Sequence, residues 1–389
     1  MNSLATGDAA EPVPVGPRGR SVTTRIVRYT NAESAAVRAF NERMLAGRAP
    51  TDFVLPDRPN KYDAGVQDAA ITWTKYLAVD EGDEVRGGFM LMEQRACLNG
   101  RSVAAANYQS PVSEGILDKR YGMVGMHMVR YVQRHWPYTF VVGMGAPDRP
   151  LPRLLAAGGW TLRTVPFLFR IVQPRRVLRE LRPLQRRLLT RVAARLAAYS
   201  GAGWIGATLL HARGARAGHS SLRIERVTRW GEWADAVWNR TRDLYSFSIA
   251  RDCTTLDCLY PLEDQRYAAY TFRDRDSVIG WAVCAQTAMH DHQYFGNLRV
   301  ATVLDAVSLP DAAPSLASAL SHALANWVDL IITNQSHALW ISAFRQAGFA
   351  SAHSNYLLAM SKPLIETIGD DIGRVHVTRG DGDGRIHLL

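Results

Sequence analysis

Cysteine is scarce in this chain, and none of it is paired by spacing. Cys97, Cys253, Cys258 and Cys284 lie far apart or in strand-like segments, with no CxxC anywhere in 389 residues. This argues against a disulfide framework and for free thiols in a reducing cytoplasm. A membrane span is missing too: the longest uncharged stretch of that kind, 196–210, has 15 residues, where roughly 20 are needed to cross a bilayer. Nor does the chain open on a basic start followed by an apolar run. Residues 1–21 are small and rich in Pro and Gly, which excludes a secretory signal and predicts a flexible arm. Acidic residues are nearly absent from one segment. Residues 175–195 hold Arg175, Arg176, Arg179, Arg182, Arg186, Arg187, Arg191 and Arg195 against Glu180 alone, a net +7 of the chain's +10. Basicity confined in this way argues against a nucleic-acid partner for the whole molecule.

The hydrophobic share of 47% supports two globular units. Residues 22–172 alternate strand and helix signals. TTRIVRY (23–29) reads as a strand, and Asn31 can cap the helix after it. TWTKYLAV (72–79), GFMLMEQ (88–94) and SVAAANYQ (102–109) form a meander. In MVGMHMVRYVQRHW, Val124, Met128 and Val132 recur at helical spacing. TFVVGM (139–144), the helix PLPRLLAAGG and a closing strand, RTVPFLFRIV (163–172), complete the unit.

Residues 220–363 repeat the order. VIGWAVCAQ answers VRGGFMLME, LRVATVLDAVS answers RSVAAANYQS, and AGF at 347–349 answers GGW at 158–160, so the chain reads as an internal duplication. Between the copies, 173–219 forms a basic amphipathic linker helix with a kink expected at Pro183. Residues 364–389 are a polar, Gly-rich tail, read as partly disordered.

The segment richest in chemistry is DKRYGMVGMHMV (118–129), at the start of a helix. Amides there point outward unpaired, the helix dipole adds positive potential, and Gly122 and Gly125 allow close approach of a phosphate. With the element order, this loop resembles the pyrophosphate loop of the GNAT superfamily of acetyl-CoA-dependent N-acyltransferases, which reads Gln or Arg, two residues, Gly, one residue, Gly or Ala. The matching register is Lys119, Arg120, Tyr121, Gly122, Met123, Val124, with Lys first, Val last and Gly125 one place later.

The resemblance implies an α/β fold of two tandem GNAT-like lobes, each a mixed, mostly antiparallel sheet flanked by helices. It also implies acetyl-CoA or another acyl-CoA as co-substrate, with Lys119, Arg120, Gly122, Met123, Val124, Gly125 and Met126 around its pyrophosphate. The pantetheine arm would enter the splayed edge between 102–109 and 139–144. The implied activity is acyl transfer to a small-molecule or glycan amine, an amino sugar of an envelope polysaccharide being the acceptor suggested by chains of this layout.

Asn334, Ala338, Phe344, Gly348 and Phe349 resemble the family's late Asn, Ala, Tyr, Gly-Phe pattern, with Phe in place of the acidic Tyr. In the first copy that position falls at Leu155. SLPDAAPSLA (308–317) stands at the second pyrophosphate position with two prolines and no glycine, so the second copy is not expected to bind CoA. Glu114, Tyr108 and His127 flank the first loop and are the candidate proton-transfer residues. Each is equally consistent with a structural role, as a solvated carboxylate, a half-buried strand residue and a surface histidine.

His290-Asp291-His292 lacks a third ligand and reads as a polar turn, so no metal is expected. Trp230, Trp233 and Trp238 read as core or inter-lobe packing. The arginine segment fits three descriptions: a solvated helix, a helix at an anionic lipid surface, or a dock for an anionic partner. The lipid description implies a cytoplasmic protein, peripheral at the inner face of the membrane. Two other functions compete. FemAB-like transferases also fuse two such lobes and use aminoacyl-tRNA; a scaffold sensing acyl-CoA would need no catalysis.

Overall fold

The computed structural model describes residues 23–50, 53–59, 70–185, 188–200, 204–208 and 222–382. The expected N-terminal arm and the last seven residues lie outside that set. The fold is α/β, with two mixed, mostly antiparallel sheets flanked by helices. Strands β1 (Thr24–Arg28), β2 (Ile71–Asp80), β3 (Val85–Leu98) and β4 (Arg101–Ser113) pair antiparallel in chain order. Asp80 shapes the β2–β3 turn, its Oδ1 accepting from the amides of Gly82 and Glu84 at 2.9 and 3.0 Å. The chain then crosses over through the helix Val124–His135, so β5 (Thr139–Val142) lies parallel to β4. Val124, Met128 and Val132 are buried against the sheet, as their spacing predicts.

The second sheet repeats this layout. β8 (Arg223–Val227), β10 (Tyr267–Asp274), β11 (Ser277–Ala288) and β12 (Arg299–Ser308) are antiparallel, and β13 (Leu330–Asn334) is parallel to β12 after the helix Ala313–Ala325. Gly159 and Gly348 end corresponding helices with φ of 81° and 85°, which explains the GGW and AGF echo.

Two corrections concern the closing strands. Residues 163–172 are not one strand: β6 (Thr161–Thr164) and β7 (Phe167–Ile171) are separated by Val165-Pro166. β6 stays in the first sheet, whereas β7 crosses to the second and pairs with β13 and with β14 (Ala350–Ala352). Reciprocally, β15 (Leu357–Met360), expected to close the second copy, lies in the first sheet between β5 and β6. The crossing segments bond each other, Val165 N donating to Tyr356 O at 2.9 Å and Ser354 Oγ to Val165 O at 2.5 Å. Pro166 has no amide to give and disfavours a helical turn at Val165, so the chain passes extended from one sheet to the other.

Further ties join the halves. β9 (Phe247–Ile249) pairs with the end of β3 and with β16 (Val375–His376). Trp230 and Trp233 pack with Trp281 in one cluster with Ile71, Trp73 and Met92 of the first sheet, and Trp238 packs separately with Cys97, Tyr245 and Ala250.

The exchange makes a prediction. Residues 23–172 expressed alone leave the edges of β5 and β6 unpaired and are expected to be unfolded or aggregated. Co-expressed with 222–382, they should be recovered as a folded complex; circular dichroism and co-purification check this, and a folded lone fragment would refute it.

The arginine segment also departs from the expected kinked helix. The helix Pro174–Glu180 ends where Leu181 turns extended (φ −65°, ψ 107°), two residues before Pro183, and helix resumes over Arg182–Gln185 and Leu188–Tyr199. The tail is more ordered than expected to residue 382, containing the helix Lys362–Ile368, β16 and a 3-10 turn Arg379–Asp381.

Candidate functional site

β4 and β5 pair only at Ala106–Thr139 and Asn107–Phe140, then part. A bulge drives the parting. Ser110 and Pro111 together oppose Phe89, with Ser110 at φ 45°, and the extra residue bends β4 away from its neighbour. On the other side, β5 gives way to Gly143 and Gly145 at φ 75° and 78°. A cavity of about 1370 Å³ opens between the diverging strands.

One wall is Tyr108–Val112 of β4 and another is residues 141–145. Gly122 reaches the cavity from the end of the 3-10 turn Lys119–Tyr121, Gly125 and Met128 from the helix Val124–His135, and Arg149, Leu151 and Leu154 from the next helix and its start. Trp73, Tyr76, Phe89, Met90 and Met92 extend the lining across β2 and β3 to Phe53 and Leu55.

The loop residues divide into those that reach the cavity and those that do not. Gly122 and Gly125 line it; a Cβ on Gly125 would lie 3.0 Å from Leu154 Cδ2, so glycine lets the two helices meet here. Helix geometry leaves the amides of the first turn, Met123 to Met126, without partners in their own helix. Val124 is core, and Met123 and Lys119 are exposed. Arg120 is turned onto Asp118, with Nη2 2.6 Å from Oδ2, so its guanidinium is engaged locally.

The three proton-transfer candidates are not brought together. Glu114 is buried but faces away from the cavity lining, accepting from Arg43 Nε at 3.1 Å, Arg43 Nη2 at 3.3 Å and Arg86 Nη1 at 3.1 Å. Arg86 in turn holds Asp80 at 2.7 Å and lies over the Tyr121 ring. Glu114 thus fastens the loop to β3. His127 points towards β1, with Nδ1 3.1 Å from Thr24 Oγ1. Burial and the nearby Arg130 hold its imidazole below the usual range.

Tyr108 does line the cavity. It is fully buried, packs on Phe89 with 5.2 Å between ring centroids, and its hydroxyl has no hydrogen-bond partner among the described residues. Burial pushes that hydroxyl well above its ordinary pKa, so it is a donor throughout the working range. Arg149, Gly143 and Gly145 escaped the sequence reading. The signal that could have found them is GMG directly after a strand.

The corresponding place in the second sheet is filled. β12 and β13 part after Val303–Thr333, and the next residues carry Asp305 into a buried ion cluster. Arg251 Nε lies 2.6 Å from Asp305 Oδ2, and its Nη2 lies 2.7 and 2.8 Å from the two oxygens of Asp381. Tyr260 donates to Asp305 Oδ2 at 3.0 Å. Burial alone would raise Asp305, but the Arg251 charge and the hydrogen bonds around it hold the carboxylate below its usual range.

Thus the chain's own segment 376–382 plugs this wedge, and its end reaches the first one. Asn107 Nδ2 donates to Asp381 O at 2.7 Å, and Gly382 lines the open cavity. A Cβ on Gly382 would lie 2.3 Å from Val142 Cγ2 and 2.6 Å from Asn107 Nδ2, so only glycine fits there. The prolines expected to spoil the second loop stand at the start of its helix, Pro310 in a 3-10 turn and Pro314 in the first helical turn.

His290, Asp291 and His292 form a turn closed by a bridge from His292 to Gly296, with Asp291 paired to Arg182. Among the described residues no group of three metal-ligating side chains occurs, no helix is long and apolar enough to cross a membrane, and all four cysteines are free.

No family model and no curated protein matches the chain. Solved structures similar to it include a GCN5-related N-acetyltransferase from Anabaena variabilis, at 12% identity and a TM-score of 0.49 over 86% of this chain and 72% of that one. A probable N-acyltransferase from Enterococcus faecalis aligns at 10% identity and TM-score 0.48, covering 89% and 74%. Saccharomyces cerevisiae N-myristoyltransferase with bound myristoyl-CoA aligns at 12% and 0.45, covering 95% and 86%. At this identity and TM-score the likeness transfers no residue role, ligand or activity to this chain.

Proposed function

We propose that this chain is an acyl-CoA-dependent N-acyltransferase whose donor lies in the wedge between β4 and β5. The observation that carries the reading is the wedge itself: two parallel strands part beside the free amides of a helix start, and a large apolar cavity follows. In this reading the pyrophosphate rests on the amides of Met123 to Met126, with Arg149 adding charge, and the pantetheine arm runs along the unpaired edge of β4. The duplicated strand order supports two tandem lobes, 22–172 and 220–363, that exchange their closing strands. Only the first holds a donor.

The acceptor amine attacks the thioester carbonyl; a C–N bond forms, the C–S bond breaks, and the thiolate leaves as CoA. Tyr108 donates a hydrogen bond to the carbonyl oxygen, the thiolate leaves and the ammonium proton is released to water; where Tyr108 passes its proton to the departing sulfur, the proton lost by the ammonium returns to it through water. The acceptor class we propose is an amine on a sugar ring.

The test is ligand-dependent stability. Acetyl-CoA at about a hundred times its Kd should stabilise the fold by roughly 2.7 kcal/mol, read as a raised Tm. Gly122→Asp, which sets a negative charge beside the phosphate site at an exposed position, should weaken binding about tenfold and so cut the stabilisation at the same acetyl-CoA concentration to about 1.4 kcal/mol. An unchanged Tm with acetyl-CoA and with longer acyl-CoAs would refute the reading.

A further inference from the structure

The arginine segment is used by neither the cavity nor the ion cluster. Its first helix, Pro174–Glu180, is fastened to the second sheet, Val177 packing with Leu298, Val300, Leu330 and Ile332. Arg176 reaches buried Asp329 at 3.4 Å, and Arg182 pairs with Asp291. Arg175 and Arg179 are exposed, and among the described residues neither holds an acidic partner. The helix Leu188–Tyr199 lies against this base.

Four positions of this helix run against the usual pattern. Ala194 and Ala198 are 6% and 2% exposed, whereas Val192 and Leu196, also four residues apart and on the opposite side, are 48% and 66% exposed. A soluble helix turns its large apolar residues inward; at these four positions the small ones go in and the large ones go out. Trp204 and Ile205 follow at 66% and 63%. Four of the ten exposed large hydrophobic side chains among the described residues therefore fall between 192 and 205. In sequence they alternate with charge, Val192 following Arg191 and Leu196 following Arg195.

We propose that the described part of this segment, 174–185, 188–200 and 204–208, docks the protein on an anionic lipid bilayer, with Val192, Leu196, Trp204 and Ile205 entering the headgroup region and Arg175 and Arg179 bound to lipid phosphates. Each half of this chemistry needs the other. Apolar groups seat in the interface, arginine stems can lie along it while their heads stay with phosphate, and Trp favours that depth. An acidic protein would satisfy the arginines and leave the four apolar side chains in water. A second copy, equally basic here, would satisfy the apolar side chains and oppose the arginines. The inference does not rest on the acyl-transfer reading.

The experiment is flotation of the full-length protein with vesicles of phosphatidylcholine alone or mixed with phosphatidylglycerol. Wild type should float with the mixed vesicles, bind them far less at high salt, and bind phosphatidylcholine alone weakly. Arg175→Glu with Arg179→Glu should lower binding to mixed vesicles by at least about tenfold, since each arginine contributes about fivefold. Leu196→Asp with Trp204→Asp should abolish flotation while leaving Tm unchanged.

Three results would overturn the proposal. The first is failure of wild type to float at low salt. The second is undiminished flotation of the Leu196 and Trp204 double variant, which would make the attraction charge alone. The third is a dimer in light scattering that the double variant dissociates, which would assign the face to a second copy.

Discussion

Replacing Tyr108 by phenylalanine is expected to lower kcat by about 10²- to 10⁴-fold, the range lost when a positioned proton donor is removed, while leaving the Tm unchanged or slightly raised. The two halves of this expectation have one cause. The Tyr108 hydroxyl is buried without a partner among the described residues, and an unpaired buried hydroxyl costs about 1–3 kcal/mol by mutational measures. Its removal relieves folding and deprives only a bound ligand. Phenylalanine keeps the ring contact with Phe89, so the cavity wall is preserved and KM for acyl-CoA should move little. Steady-state kinetics beside a melting curve checks both halves. A lowered Tm with unchanged kcat would mean that the hydroxyl serves packing, and Tyr108 would lose its proposed role.

The second large effect is on stability. Arg251→Met is expected to cost about 3–5 kcal/mol, as breaking a buried ion pair does when its partner is stranded. Here two partners are stranded, because Asp305 and Asp381 both bond this one guanidinium. Both carboxylates are fully buried, so water cannot replace the lost bonds. The triple variant Arg251→Met, Asp305→Asn, Asp381→Asn should recover part of the loss, since it removes the uncompensated charges with their counter-ion. Denaturant unfolding of the single and triple variants measures this; equal losses would mean that charge is not the cause. The single variant should also loosen acyl-CoA binding, because Asp381 and Gly382 brace Asn107 and Val142 at the floor of the open wedge.

These two expectations differ in how far the sequence could have led to them. Tyr108 was within reach as a residue flanking a helix-start loop, although its role read there as a base; only its burial makes it a donor. Glu114 was equally within reach and came out differently. Nothing local to residue 114 reveals Arg43 and Arg86, one from a helix and one from the next strand, closing on it. The ion cluster was out of reach altogether, since Arg251, Asp305 and Asp381 are 54 to 130 residues apart.

Local pattern accounts for what was read correctly. Apolar residues at helical spacing in 124–132 must face a sheet, the meanders follow from alternation and short turns, and the matching order of the two halves gives two sheets of one layout. The amino-acid sequence by itself therefore determined the meander strands and crossover helices of both halves, their order, and the absence of glycine from the second helix start.

Tertiary structure alone decided which strand lies beside which at the end of each sheet, and which wedge stays open. Strand hydrogen bonds use backbone groups that every residue carries, so β7 and β15 hold no mark of the sheet they join. The open wedge, likewise, is defined by where segment 376–382 packs, and that depends on a guanidinium and two carboxylates meeting only in the folded chain.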